Sequence, residues 1–291
     1  MVVVVSLTTS PTRLLKCWPC LRSLMRQTIK PDLIVLNLPD KFGRTNEEYI
    51  IPSQLKRSVF VNRCGRDWGP ATKIVPTVLL LREKNYSPDT CVVYLDDDVI
   101  YPSHMLSYFL KLPSKDIWTL HGLCAPTYAE MLNIAESTTD VKELNKQFLH
   151  LFLAGIWSIT RYSSRTVRTG VPCDIVEAYA GICTRLSMYK DDFIPYMEKA
   201  MQSDLSKFAD DVTLSNYFAK HYIDRRIVYS DDLKWTDLKA MPWGLNDPDA
   251  LQNGGALNET NLERYIKLVR KLELHDEYYL RLRSNYTCLQ D

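Results

Sequence analysis

Three consecutive aspartates, Asp96, Asp97 and Asp98, interrupt the apolar run VVYLDDDVIYP at residues 92–102. Val92, Val93, Tyr94 and Leu95 include no turn residue, and they predict a short buried strand that delivers the acids at its end. Adjacent carboxylates repel one another and resist burial, and a divalent cation with oxygen ligands compensates such a group. The triplet also reads as a solvated acidic turn between a strand and a helix. A second acidic pair, Asp210 and Asp211, lies in FADDVTLSNYFAK. A carboxylate there can take up a proton, or it can simply occupy a helix start, where the macrodipole favours it. Two loops carry cations: Arg13 follows Thr8 and Thr9 in SLTTSPTR, and Lys73 closes DWGPATK, which opens with Asp67. A nucleoside diphosphate needs a metal and cations for its phosphates and hydrogen-bonding groups for its base and ribose, and this set could supply all of these, the acids as ligands of the metal. Each residue has a plainer reading as well. Arg13 and Lys73 read as solvated helix charges, Asp67 as a turn residue, and Trp68, Tyr101 and Tyr179 as packing. His121 and His150, beside apolar stretches, read as structural histidines.

These residues require a sheet to hold them. Strands are predicted over 2–7, 33–38, 58–62, 92–95, 118–123 and 226–229, with helices over 14–26, from 73 to 82, over 102–110 and from 211 to 221. Strand and helix alternate in the first half, which argues for a mostly parallel α/β sheet. In such sheets ligands bind at the carboxyl ends of the strands, where the aspartates stand. Residues 125–150 read as a polar, partly helical insertion, and 151–160 as an apolar segment that periodicity leaves open between strand and helix. After a loop-rich stretch, Thr260 and Glu263 form a capping box that opens a last amphipathic helix.

The totals narrow the classes. At 291 residues the chain approaches the limit of one hydrophobic core. Hydrophobic residues make up 46% and charged residues 24%, as in a soluble globular enzyme. A net charge of +1 without a long basic run makes nucleic acid an unexpected partner. No apolar run has the length of a membrane span. MVVVVSLTT lacks the basic start and cleavage site of a signal peptide and reads as a first strand. A cytoplasmic location is therefore expected, and the sequons at Asn85, Asn258 and Asn285 read as chance matches. The eight scattered cysteines suit reduced thiols, although Cys17 and Cys20 have the spacing of a redox pair. Neither G-x-x-x-x-G-K-[ST] nor G-x-G-x-x-G occurs, which removes P-loop enzymes and weakens a dinucleotide fold.

The succession VVVVSLTTSPTRL, PDLIVLNLP, DWGPATK, VVYLDDDVIYP, EAYAG and FADDVTLSNYFAK resembles glycosyltransferases of the GT-A fold. The likeness is to a family 2-like group with a DDDVIYP segment, some members of which are encoded by large DNA viruses and by bacteria. It covers residues 2–232, while 233–291 match nothing in the group. The resemblance implies a GT-A domain over 1–232, with a mostly parallel central sheet flanked by helices, and a C-terminal loop and helical extension over 233–291 packed on it. It implies a metal-dependent enzyme using Mn2+ or Mg2+ that moves a hexosyl or pentosyl group from a UDP- or GDP-sugar to a glycan or protein-linked glycan acceptor, with inversion. Asp96, Asp97 and Asp98 match the family's DXD-type motif: Asp98 would bind the metal, Asp96 the metal or the ribose, and Asp97 the donor. Thr8 and Thr9 match the end of a strand that touches the nucleotide, Arg13 stands within reach of a phosphate, and Asp67 and Lys73 match the nucleotide-side turn. Asp211 matches the catalytic base and Asp210 its orienting neighbour. A later histidine that many relatives use as a metal ligand is unassigned here, since His275, in the extension, is the one histidine after His221. Two rival readings remain. A sugar-1-phosphate nucleotidyltransferase would carry a Gly-rich loop after strand one, where residues 8–13 hold no glycine; a non-catalytic nucleotide-sugar or glycan-binding protein would keep the acids without turnover.

Overall fold

The apolar runs at residues 3–8, 33–39 and 91–94 form strands that are buried on both faces. β1 (Val3–Thr8) leads through a 3-10 turn at Pro11–Arg13 into α1 (Trp18–Met25). Then follow β2 (Leu33–Pro39), α2 (Ser53–Ser58), β3 (Phe60–Cys64), a 3-10 turn at Gly69–Lys73, α3 (Val75–Glu83) and β4 (Cys91–Tyr94). Beyond the acids come β5 (Val99–Ile100), α4 (Met105–Phe109), β6 (Ile117–Thr119), β7 (His121–Leu123), β8 (Arg161–Ser163), β9 (Ile175–Val176) and β10 (Ile182–Arg185). The last described elements are α5 (Phe193–Ala200), α6 (Asp204–Phe208), α7 (Asp210–Lys220), β11 (Arg225–Ile227) and β12 (Lys239–Ala240). This computed structural model describes residues 1–123, 161–163, 170, 172–228, 238–241, 243 and 268. The expectations for 125–150, 151–160, His150 and the capping box at Thr260 lie outside the described residues. Among the described residues, no helix is long and apolar enough to cross a membrane.

The central sheet has seven strands in the order β11-β6-β10-β4-β1-β2-β3. β1 pairs in parallel with β2 and β4, β2 with β3, and β6 with β11, while β10 runs antiparallel between β4 and β6. The sheet is thus mostly parallel and flanked by helices. Side chains alternate between two cores. Val3, Val5 and Leu7 of β1 join Val93 of β4 and the α1 and α4 residues on one face. Val4, Val92 and Tyr94 join the α3, α5 and α7 residues on the other. Burial on both faces explains why these strands read as continuous apolar runs rather than as alternating ones.

Several elements differ from the sequence expectation. The first helix begins at Trp18, with Pro19 in its first turn, where a missing N–H costs nothing. The third strand starts at Phe60, because α2 runs to Ser58. The strand expected over 118–123 is two: β6 stays in the main sheet and β7 pairs with β8 and β9 in a second one. Neither β10 nor α5 was expected; ICTR is too short and mixed to give a periodic pattern.

A buried polar network lies within this apolar sheet. The Asn37 amide donates to Ser6 Oγ at 3.0 Å and to Thr77 Oγ1 at 2.8 Å, and its carbonyl oxygen accepts from Asn62 at 2.8 Å. Ser6 Oγ in turn hydrogen-bonds to Thr77 Oγ1 and to the carbonyl of Lys73, which ties β1 to the 3-10 turn that carries the lysine. Asn37, Ser6 and Thr77 are fully buried, so an unmet polar group there costs its whole desolvation penalty. Asn37→Ala orphans several of these atoms at once and is expected to lower stability by about 1–3 kcal/mol or more. Urea unfolding measures this; a midpoint unchanged from the parent would show that the network is dispensable.

Candidate active site

Four strands deliver the site residues to one end of the sheet. Thr8 and Thr9 end β1, Asp67 follows β3, and Asp96, Asp97 and Asp98 follow β4. β10 runs the other way, with Ile182 opposite Tyr94, so the residues that precede it reach the end that the residues after β4 occupy. Gly181 makes this entry with φ +86°, and a Cβ there would stand 3.1 Å from Leu95 Cδ2. The N-terminus of α7 brings in Asp210 and Asp211, and Ser215 fixes this helix by accepting the N–H of Val176 at 3.1 Å.

The three adjacent aspartates have different partners. Asp97 is buried, accepts from Thr9 Oγ1 and lies 3.2 Å from Arg13 Nη1. Burial pushes its carboxyl up to about 7, against the pull of Arg13 and with Asp98 adding to the rise. Asp98 accepts from Arg13 Nη2 at 2.6 Å, and burial followed by Asp96 raises its carboxyl too. Asp96 accepts from Lys73 Nζ at 2.7 Å. Lys73 also lies 2.9 Å from Asp210 Oδ2 and so joins the triplet to the second acidic pair. Burial opposes its charge, but Asp210 and Asp96 outweigh burial and hold the ammonium above its ordinary value. Arg13 and Lys73 are therefore paired cations inside the cluster, not solvated helix charges. Asp211 accepts the Ala178 N–H at 3.1 Å, and burial followed by Asp210 raises its carboxyl well above the ordinary range. A carboxylate of raised basicity is suited to taking a proton from a hydroxyl near neutral pH.

Thr8 and Asp67 stand at the same end of the sheet but outside this cluster. The Thr8 hydroxyl donates to the Asn37 carbonyl at 2.9 Å. Asp67 accepts from Gly43 N at 2.6 Å and from Gly69 N at 2.7 Å and Thr72 Oγ1 at 3.1 Å, so it ties two loops together as a turn residue does. Tyr101 does more than pack. Its hydroxyl accepts from Asp96 N at 3.0 Å and contacts the carbonyls of Asp96 and Tyr179, clamping the acidic loop against the segment before β10. Sequence patterns did not show this clamp; a tyrosine five residues after the first acid, in an otherwise aliphatic run, is its one trace. Nor did they show Tyr49, whose hydroxyl donates to the Thr9 carbonyl at 2.9 Å, or the buried pairing of His121 with Glu177. The redox reading of Cys17 and Cys20 fails on chemistry. Both thiols are buried and free, burial pushes Cys17 up to about 12 and Cys20 well above its ordinary value, and Cys20 donates to the Asp96 carbonyl at 3.4 Å.

The donor set fits a hard divalent cation. Asp96 and Asp98 are the half-buried members of the triplet, at 34% and 27% side-chain exposure against 5% for Asp97, and each commits one carboxylate oxygen to its ion pair, leaving the other for a ligand. Among the described residues, no three His, Cys, Asp or Glu groups converge into a complete metal cage. One or two carboxylates with substrate phosphates completing the shell is the usual arrangement for Mg2+ at a phosphate site. The described ion pairs set two cations, Arg13 and Lys73, against Asp96, Asp97, Asp98 and Asp210, which leaves the cluster short of positive charge.

No family model and no curated protein matches this chain. Solved structures resemble it distantly. S. aureus TarS is 14% identical at a TM-score of 0.47, covering 94% of this chain and 43% of its own, so this chain spans less than half of that protein. The mannosyltransferase PcManGT from Pyrobaculum calidifontis, solved with GDP-Man and Mn2+, is 14% identical at a TM-score of 0.44, covering 97% and 70%. A 4-diphosphocytidyl-2C-methyl-D-erythritol synthase is 10% identical at a TM-score of 0.44, covering 80% and 92%. At these values each is a likeness only, and the chemistry assigned to the site rests on the residues of this chain.

Proposed function

We propose that this chain is a metal-dependent, inverting glycosyltransferase that moves a sugar from a nucleoside-diphosphate donor, UDP- or GDP-linked, to a hydroxyl of a glycan or protein-linked glycan. The observation that supports it most is Lys73, which pairs with Asp96 on the donor side and with Asp210 on the acid-pair side and so links two motifs far apart in sequence. Asp96 and Asp98 hold Mn2+ or Mg2+, which when bound offsets the charge of the leaving diphosphate. Arg13 keeps Asp97 and Asp98 in place and adds positive charge beside them. Asp211, aimed by the Ala178 N–H, accepts the proton of the attacking hydroxyl on its carboxylate. Asp210 holds Lys73 and thereby orients its neighbour. The loop of Thr8 and Thr9, with no glycine to cradle a triphosphate, favours transfer of the sugar over transfer of the nucleotide.

Two experiments test this reading. Calorimetric titration of UDP and GDP with Mn2+ is expected to show metal-dependent binding. Asp98→Asn is expected to weaken it by about tenfold or more, equivalent to 1.4 kcal/mol, while the parent in EDTA behaves like the variant. Equal affinity with and without EDTA would remove the metal from the site. For the base, Asp211→Asn keeps the shape and removes the proton acceptor, so transfer should fall by about a hundred- to ten-thousand-fold with donor affinity nearly unchanged. The base must be deprotonated to act. With its carboxyl raised, activity should be lost as pH falls through a value above the ordinary carboxylate range, and kcat measured against pH locates that limb. Normal turnover by Asp211→Asn would place the base elsewhere.

A further inference from the structure

The segment before β10 reaches three parts of the site with three consecutive residues. The Glu177 carboxylate is hydrogen-bonded to His121 Nδ1 at the start of β7, and both side chains are buried. The Glu177 N–H also donates to the His121 carbonyl at 3.2 Å. The Ala178 N–H donates to Asp211, and the Tyr179 carbonyl accepts from the Tyr101 hydroxyl that clamps Asp96. The rings of His121 and Tyr179 lie 5.3 Å apart between centroids. A buried carboxylate held by an imidazole is costly to desolvate, and no step of the proposed transfer uses this one directly. We propose that His121 and Glu177 are positioning residues for Asp211: their pair pins the segment whose Ala178 N–H aims the base, and holds the Glu177 carboxylate among the charges around it. This rests on the assignment of Asp211 as the base.

Electrostatics support the geometry. After burial, Asp210 of α7 is the largest influence raising the Asp211 carboxyl; Lys73 of the turn before α3 opposes it; Asp96 after β4 and Glu177 before β10 add to the rise. Removing the Glu177 charge without changing its shape should therefore lower the pH at which Asp211 takes its proton. A residue that merely packs has no such effect.

Glu177→Gln is that change, since its amide oxygen still accepts from His121. The acid limb of kcat against pH is expected to move to lower pH, with the donor dissociation constant unchanged. His121→Phe keeps the ring beside Tyr179 and removes the hydrogen bond. It is expected to lower kcat by about tenfold or more, again at constant donor affinity. His121→Asn, whose amide can donate from near the Nδ1 position, should recover part of that loss. The same shift is readable without turnover, by titrating carboxyl-13C aspartate in the folded protein and identifying the Asp211 resonance by its absence in Asp211→Asn. If Asp211→Asn transfers normally, the base assignment falls, while a lowered Asp211 midpoint in Glu177→Gln still supports the positioning pair. An Asp211 midpoint and an acid limb that both stay in place in Glu177→Gln overturn the proposal, as does a His121→Phe variant that loses thermal stability but keeps its kcat.

Discussion

Taking an ammonium out of water costs several kcal/mol even after the protein relaxes, and only a close, well-bonded anion offsets it. Lys73 is buried, and it has two close anions, Asp96, hydrogen-bonded at 2.7 Å, and Asp210, ion-paired at 2.9 Å. Each belongs to a different element, one to the loop after β4 and one to α7, while the Lys73 carbonyl is held by Ser6 of β1. The lysine thus makes its own satisfaction depend on the sheet, the acidic loop and the helix all standing in register. Removing either carboxylate leaves a buried charge with half its support, which costs more than never having had the pair. The same charge that stabilises the cluster limits it: with Arg13 occupied by Asp97 and Asp98, the remaining negative charge fits an added cation better than an added anion.

The reversed strand β10 explains how so many groups converge. In a purely parallel sheet, only residues after a strand reach the ligand end. Because β10 is antiparallel, the residues before it reach that end as well, and Glu177, Ala178 and Tyr179 arrive opposite the aspartates. Their contacts are mostly backbone groups: an N–H to Asp211 and a carbonyl to Tyr101. Such groups have no rotamers to lose, so they hold their partners at little entropic cost. α7 then needs to place only two side chains, and its N-terminal dipole favours the carboxylates it carries there.

Much of this is readable from residue types. β1, β2 and β4 are apolar on both faces, so their runs announce a parallel core, and the aspartates at the end of β4 announce the site. Lys73 and Arg13 were singled out by their loops, and the structure brings both onto the acids. Other features depend on pairings that no local pattern encodes. His121 beside an apolar stretch looks structural, and its carboxylate partner lies 56 residues further on. β10 is four residues of mixed character whose place is fixed by pairing with β4 and β6. Ser6 and Asn37 left a legible trace, a polar residue inside an apolar strand, which is costly unless it meets a partner.

Residues past 232 match nothing in the sequence resemblance, yet part of them touches the acids. β12 pairs antiparallel with β5, and the Met241 N–H donates to the Asp98 carbonyl at 2.8 Å. The Trp243 ring lies 4.7 Å from the Arg13 guanidinium carbon. A guanidinium can stack by its face on an aromatic ring while its N–H edge remains available for carboxylates. Arg13 uses both: the indole on one side, and Asp97 and Asp98 along its edge. The backbone of Asp98 and the side chain that binds its carboxylate are thus both braced, by Met241 and Trp243 respectively. The geometry of the acidic triplet is therefore a joint property of the sheet that bears it and of this later segment, which a division of the chain by sequence resemblance alone would separate.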